Sequence, residues 1–569
     1  MRFKYVLIVI IIASVLLASS LLLIFFRLPE VVEEPKEPPE KLKEIRIEPI
    51  PTVKIPEPPP SMFLPEALPW LVEKGTVRTD VFYGSGVPRR PEVTLKLNIS
   101  ANMAGKLAEA IVEGNRVFLA DNEGVYALNK SSGELLWGVE VYFDNLMHRE
   151  LSGPGPIYKW RSLGLWGFVK TYGVGKYLYV ATSFLLPHHG EEDASLLALN
   201  KDNGELVWRV TLKSEEGARK SSVTSNLIVA DGKVFVGSIG YEGLVFAVSE
   251  DGEVIWRRSV GGNVRGLTYG DGILFVTSEY SNKLHAFNPE NGELLWIYEH
   301  DWELTTPSYR DGRVILADLS GSILAVSSNG KLLWERPLGI GGDVDKNSYI
   351  ALSDKYVYAI RSYGERPRNL YVLDFNGNVV GNYTLTIDED GGIPAVSRDI
   401  VALPVLNRDG EGKVYLLWRG LHKLSEFHFK ECSGWMPKVS IAYGEIFVVA
   451  CPRVMYKLVD EGKPVISRVN VTYNRTLIIK ADVFDNQSAL YKVLLVYSIN
   501  NSHWNYREMR IASSYADEPV GGYGLEEETY ITEIPLEIAK IEFYIIAIDN
   551  TGNYEATAVY GYRIYIMEG

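Results

Sequence analysis

The chain has 569 residues, 46% of them hydrophobic and 23% charged, a globular composition with room for two or three domains. Its formal net charge of −14 supplies no basic face for a phosphate backbone, which excludes nucleic acid as a partner. A single glutamine, Gln487, in a chain rich in Glu, Lys, Ile, Val and Tyr is the balance of hyperthermophile proteins and reads as an archaeal source.

At the N-terminus Arg2 and Lys4 precede an uncharged run from Tyr5 to Phe26. Its 22 residues suffice to cross a bilayer, which takes about 20. The acidic flank at Glu30, Glu33 and Glu34 places Met1 in the cytoplasm and the bulk of the chain outside. A cleaved signal peptide is the rival reading, but its apolar core spans only about 7–15 residues. Residues 1–27 therefore read as a retained single-pass anchor. Residues 28–69 mix proline with charge (EEPKEPPEKLKE, IPEPPPS) and read as an extended linker that holds the rest away from the membrane.

One phrase then recurs: ALNKSSGELLW from Ala127, ALNKDNGELVW from Ala198 and AFNPENGELLW from Ala286, with the shorter AVSEDGEVIW from Ala247 and AVSSNGKLLW from Ala325. Each copy sits in a unit of about 40–50 residues whose short β-rich runs are separated by turn residues, the period of a β-propeller blade. Eight units are counted by their second strands: RVFLA at Arg116, KYLYVA at Lys176, KVFVGS at Lys233, ILFVTS at Ile273, RVILAD at Arg313, KYVYAI at Lys355, DIVALPV at Asp399 and EIFVVA at Glu445. The eighth unit lacks a last strand, and EVTLKLNIS at Glu92 is the candidate to supply it and close a ring. Trp137, Trp208, Trp256, Trp296 and Trp334 end the phrases and read as structural, packing on the neighbouring blade.

The pattern A-x-[DN]-x-x-[TSN]-G-E-L-x-W after a V-[FY]-V strand resembles the tryptophan-docked, PQQ-like repeat of the quinoprotein dehydrogenase family, over about Pro69 to Val459. The resemblance implies an all-β, eight-bladed propeller over residues 70–460. The enzymes of that family bind pyrroloquinoline quinone (PQQ) and calcium in the central funnel, with the quinone against a disulfide of adjacent cysteines. This chain has no adjacent cysteines and no CxxCH. It therefore looks closer to the non-catalytic branch, binding platforms that include the propeller lipoprotein of outer-membrane protein assembly. No catalytic or cofactor-binding residue is assigned, and a PQQ- and calcium-dependent dehydrogenase, or another propeller enzyme, is the alternative.

From Lys463 the period changes to about seven strands, and FYIIAIDNTGNYE resembles fibronectin type III-like modules, so residues 463–569 read as a fibronectin type III/Ig-like β-sandwich. Sequons at Asn98, Asn129, Asn382, Asn470, Asn474, Asn486 and Asn500 are candidate glycosylation sites. Cys432 and Cys451, the only cysteines, are read as a disulfide in an exported chain.

Asp343, Asp345, Asn347 and Asp354 have the spacing of oxygen ligands in an EF-hand-like calcium loop, although Ser348 stands where such loops need glycine. The insertion between Tyr142 and Trp166 carries Trp160, Arg161 and Trp166, residue types that anchor interfaces, with a lid over the propeller as the other reading. His188 and His189 lie on a second insertion and are candidates for partner contact rather than metal binding. The expectation is a membrane-anchored cell-surface platform for protein or glycan partners.

Overall fold

The structure, a computed structural model, describes residues 45–50, 92–98 and most of 109–566; the longest stretches outside it in that last span are 143–159 and 513–527. The described residues form ten β-sheets and no helix. The expected anchor, residues 1–27, lies outside them, and among the described residues no helix is long and apolar enough to cross a membrane.

Eight of the sheets are meanders taken in chain order, and each expected second strand is the second strand of one of them. The turns explain why the strands fold back so tightly. At Asp231 and Gly232, Asp271 and Gly272, and Asp311 and Gly312 both central residues have φ between +46° and +76°. That is the geometry of a two-residue I′ hairpin, whose twist matches that of the strands it joins. The first strands touch in sequence: Ile111–Glu113, Phe168–Val174, Ile228–Ala230, Val264–Gly270, Ser308–Arg310, Ser348–Leu352, Ala395–Val396, Lys438–Ala442, and back to Ile111–Glu113. The fold is thus all-β and propeller-like. Glu92–Asn98 pairs antiparallel with Val454–Val459 and becomes the outer strand of the last of these sheets.

Burial falls from first strand to fourth. In the third sheet Ile228–Ala230 and Lys233–Gly237 are buried throughout, whereas in Val254–Ser259 only Trp256 is. The successive sheets bury Val, Ile, Leu and Phe between them, as sheets covered on both faces must.

The two remaining sheets share one core. Leu477, Ile479, Ala481 and Val483 alternate inward from one sheet and meet Val493, Leu495, Ile541, Phe543 and Ile545 of the other. Part of the expected linker belongs to this unit. Ile45–Ile50 pairs antiparallel with Tyr560–Ile566, and the Tyr565 hydroxyl donates to Glu48. IRIEPI has the period-two alternation of a strand, and Pro49 is tolerated because the strand lies at the sheet edge. The linker reading of residues 28–69 is corrected for these six residues.

One buried group makes the fold sensitive to acid. His285, 5% exposed and stacked on Phe287, has its imidazole pushed down to about 4 by burial and then by Lys283. The unfolded chain, with an ordinary histidine near 6.5, binds the proton first as pH falls. Stability is therefore intact above about pH 6.5 and lost as pH falls towards 4, by about 3 kcal/mol from this residue. Melting followed from pH 7 to 4 is expected to fall more steeply for the wild type than for His285→Gln; parallel curves would refute it.

Candidate interaction surface

The recurring phrase folds so that its first and last letters face each other. Ala127 pairs with Trp137, Ala198 with Trp208, Ala247 with Trp256, Ala286 with Trp296 and Ala325 with Trp334. The alanine leaves room for the indole, which reaches the next sheet. Trp137 Nε1 donates to the Lys201 carbonyl at 3.0 Å, Trp208 to Glu250 at 2.8 Å, Trp256 to Pro289 at 2.8 Å, Trp296 to Ser328 at 2.9 Å and Trp334 to Phe375 at 2.9 Å. Each ring lies on a glycine of that next turn. A Cβ at Gly204 would stand 2.6 Å from the Trp137 ring, and one at Gly292 would stand 2.6 Å from that of Trp256. The glycine of one phrase thus receives the tryptophan of the phrase before it.

Between the alanine and the tryptophan the register slips at the same place in each hairpin, as at Ala247/Val248 and Ala286/Phe287. A bulge of this kind breaks the in–out alternation of a strand. Two successive aliphatic residues therefore face outward: Leu206 and Val207, Val254 and Ile255, Leu294 and Leu295, Leu332 and Leu333, Val379 and Val380. They are 41% to 48% exposed and lie on the outermost strands of the second to sixth sheets. Apolar groups repeated along open edge strands form a surface suited to protein contact. The first sheet differs. Trp160–Leu165 adds a parallel strand beside Leu135–Tyr142, and Leu135 and Leu136 are half-buried.

Trp160 and Arg161 begin that added strand. Trp166, His188, His189 and Cys432 lie outside the described residues, while Cys451 ends the strand Glu445–Cys451. Asp343, Asp345 and Asn347 lie outside the described residues, Asp354 is exposed, and Ser348–Leu352 is a strand. Asn129 accepts from the amides of Ser131 and Ser132, and Asn98 ends its strand. Asn382, Asn470, Asn474, Asn486 and Asn500 are exposed.

The seam that closes the cycle is held by polar contacts. Lys130 Nζ meets Glu445 Oε2 at 2.6 Å, Lys457 meets Glu445 Oε1 at 3.2 Å, and the Tyr443 hydroxyl accepts from Gly114 N at 2.7 Å. A cleft of about 450 Å³ opens beside it, lined by Tyr443, Glu445 and Lys457 and, from the C-terminal unit, Thr551 and Asn553.

The family described as outer membrane protein assembly factor BamB matches residues 96–238 and 241–418, more than half of the chain. The chain belongs to that family, built on the PQQ-like β-propeller repeat. The match begins within Glu92–Asn98 and ends at Trp418 in the seventh sheet. Among its relatives, outer membrane protein assembly factor BamB of Shewanella oneidensis is 28% identical over 201 residues, covering 32% of this chain and 48% of that protein. Tetrathionate hydrolase of Acidithiobacillus ferrooxidans is 24% identical over 263 residues, covering 42% of this chain and 49% of that protein. The chain spans about half the length of these two curated relatives. The crystal structure of BamB from Moraxella catarrhalis overlaps 65% of this chain and 98% of its own at 14% identity, with a TM-score of 0.45. The adjacent cysteines that hold PQQ in the enzymes have no counterpart here, since Cys432 and Cys451 are far apart in sequence, and no step through a quinone follows from these residues.

Proposed function

We propose that the chain is a membrane-held platform for protein assembly. Eight blades form a closed ring, a fibronectin type III/Ig-like sandwich follows, and residues 1–27 anchor the whole with its bulk outside the membrane. The observation that carries this reading is the run of outward aliphatic pairs on the outer strands of five consecutive sheets. Membership of the BamB family and the name of several of its relatives, outer membrane protein assembly factor, support a protein partner at a membrane.

A photo-crosslinker placed at Leu294 or Leu332 in the full chain, in its own membranes, is expected to capture a discrete protein. One placed at Trp302, which is exposed but off the outer strands, is expected not to. With the crosslinker kept at Leu294, the double substitution Leu332→Lys with Leu333→Lys should abolish the adduct while changing stability by no more than about 0.5 kcal/mol, because both sites are on the surface. Equal capture at Trp302, or none at either rim position, would sink the reading. Likeness to a tetrathionate hydrolase favours an enzyme as the second reading.

A further inference from the structure

Three aspartates meet where the eighth sheet hands over to the C-terminal unit. Asp460 follows Val454–Val459, Asp485 follows Thr476–Phe484, and Asp549 ends Ala539–Asp549. One carboxylate oxygen from each lies within 4.8 Å of the other two. Asp485 and Asp549 are fully buried and Asp460 is 8% exposed.

Their turns orient them. Asp460 Oδ1 accepts from Gly462 N at 2.8 Å, and Asp485 Oδ1 accepts from Gln487 N at 2.8 Å. Asp549 Oδ1 accepts from Thr551 N at 2.8 Å, Thr551 Oγ1 at 2.9 Å and Asn553 N at 2.9 Å. Its Oδ2 is buried and has no hydrogen-bond partner. A buried carboxylate oxygen in that condition is costly unless something positive meets it. The loops are also tied to each other: Asn553 Nδ2 donates to the Asp460 carbonyl at 3.2 Å, and Gln487 Oε1 accepts from Glu461 N and Gly462 N.

We propose that Asp460, Asp485 and Asp549 hold a calcium ion that locks the propeller to the C-terminal unit. The donors are all hard oxygens. Calcium–oxygen bonds are about 2.3–2.6 Å, so two ligands of one ion lie at most about 5 Å apart, and the observed cluster fits that limit. Magnesium demands a tighter octahedron and retains several waters, which a site this buried does not favour. Burial, followed by the charge of Asp460, pushes the Asp549 carboxyl up to about 7, the strain a divalent ion relieves.

The test uses the full chain in detergent, stripped with chelator and titrated with calcium chloride. One ion per chain is expected to bind and to raise the melting temperature. Asp549→Asn should weaken binding at least tenfold and abolish the calcium-dependent rise. Without calcium it should melt no lower than the wild type, since it removes one of three repelling carboxylates, and this shows that it folds. Asp354→Asn should leave both readings unchanged. The proposal is overturned if the wild type binds no calcium up to about 10 mM, beyond the range of extracellular modules. It is overturned equally if Asp549→Asn binds as tightly as the wild type, or if magnesium chloride gives the same shift as calcium.

Discussion

Trp256→Ala is expected to destabilise the protein by about 3–5 kcal/mol, the range for removing a large buried aromatic. Trp256 is 5% exposed, lies 6.0 Å from Phe235 and 6.2 Å from Phe287, and donates to the Pro289 carbonyl. Its loss leaves a cavity between two sheets and an unmet carbonyl. Gly292→Ala attacks the same contact from the other side. Its φ of +68° disfavours any side chain, and the added Cβ would stand 2.6 Å from the Trp256 ring. In a Trp256→Ala background the collision disappears and only the backbone penalty of about 1 kcal/mol remains. A double-mutant cycle by guanidinium unfolding should therefore show strong coupling. Additive effects would mean that the indole does not rest on Gly292.

Glu303→Ala is expected to lower stability by about 3 kcal/mol. Arg265 Nη2 meets Glu303 Oε1 at 2.6 Å, with Glu279 at 3.6 Å, and all three side chains are 15% exposed or less. Burial disfavours the arginine's charge, and Glu303 opposes that shift. Removing Glu303 leaves a buried cation with a more distant partner. Glu303→Gln keeps an oxygen acceptor but not the charge, and should lose less than Glu303→Ala if the hydrogen bond contributes. The loss should persist in 1 M salt, where the screening length falls to about 3 Å, because buried pairs are screened little. A loss that vanished with salt would show an ordinary surface pair.

The meander was legible because it is local. Asp-Gly turns and V-F-V runs name hairpins within a few residues, and the strand Lys233–Gly237 follows at once from its turn. The outward pairs such as Leu294 and Leu295 were not, because strict alternation would bury one of the two, and the bulge after Ala286 breaks that alternation. Ile45–Ile50 was hidden by the prolines around it and by a partner at the far end of the chain. The aspartate cluster was missed for a related reason. Asp343 to Asp354 attracts notice because its ligands are close in sequence, whereas Asp460, Asp485 and Asp549 come from three separate turns and only the fold brings them together.

The pairing of Ile45–Ile50 with Tyr560–Ile566 sets the order in which the molecule can be completed during synthesis. Glu48 and Tyr565 are 517 residues apart. At about 5–20 residues per second, the first strand waits roughly half a minute to two minutes for its partner to be made. Glu92–Asn98 waits for Val454–Val459 in the same way, though for less time. Until Val454–Val459 is made two strands stand with open edges while neighbouring chains are also being made, and from then until Tyr560–Ile566 is made one still does. The nascent chain is thus exposed to wrong pairing until Tyr560–Ile566 emerges, and a truncation that removes that strand would leave Ile45–Ile50 without its partner.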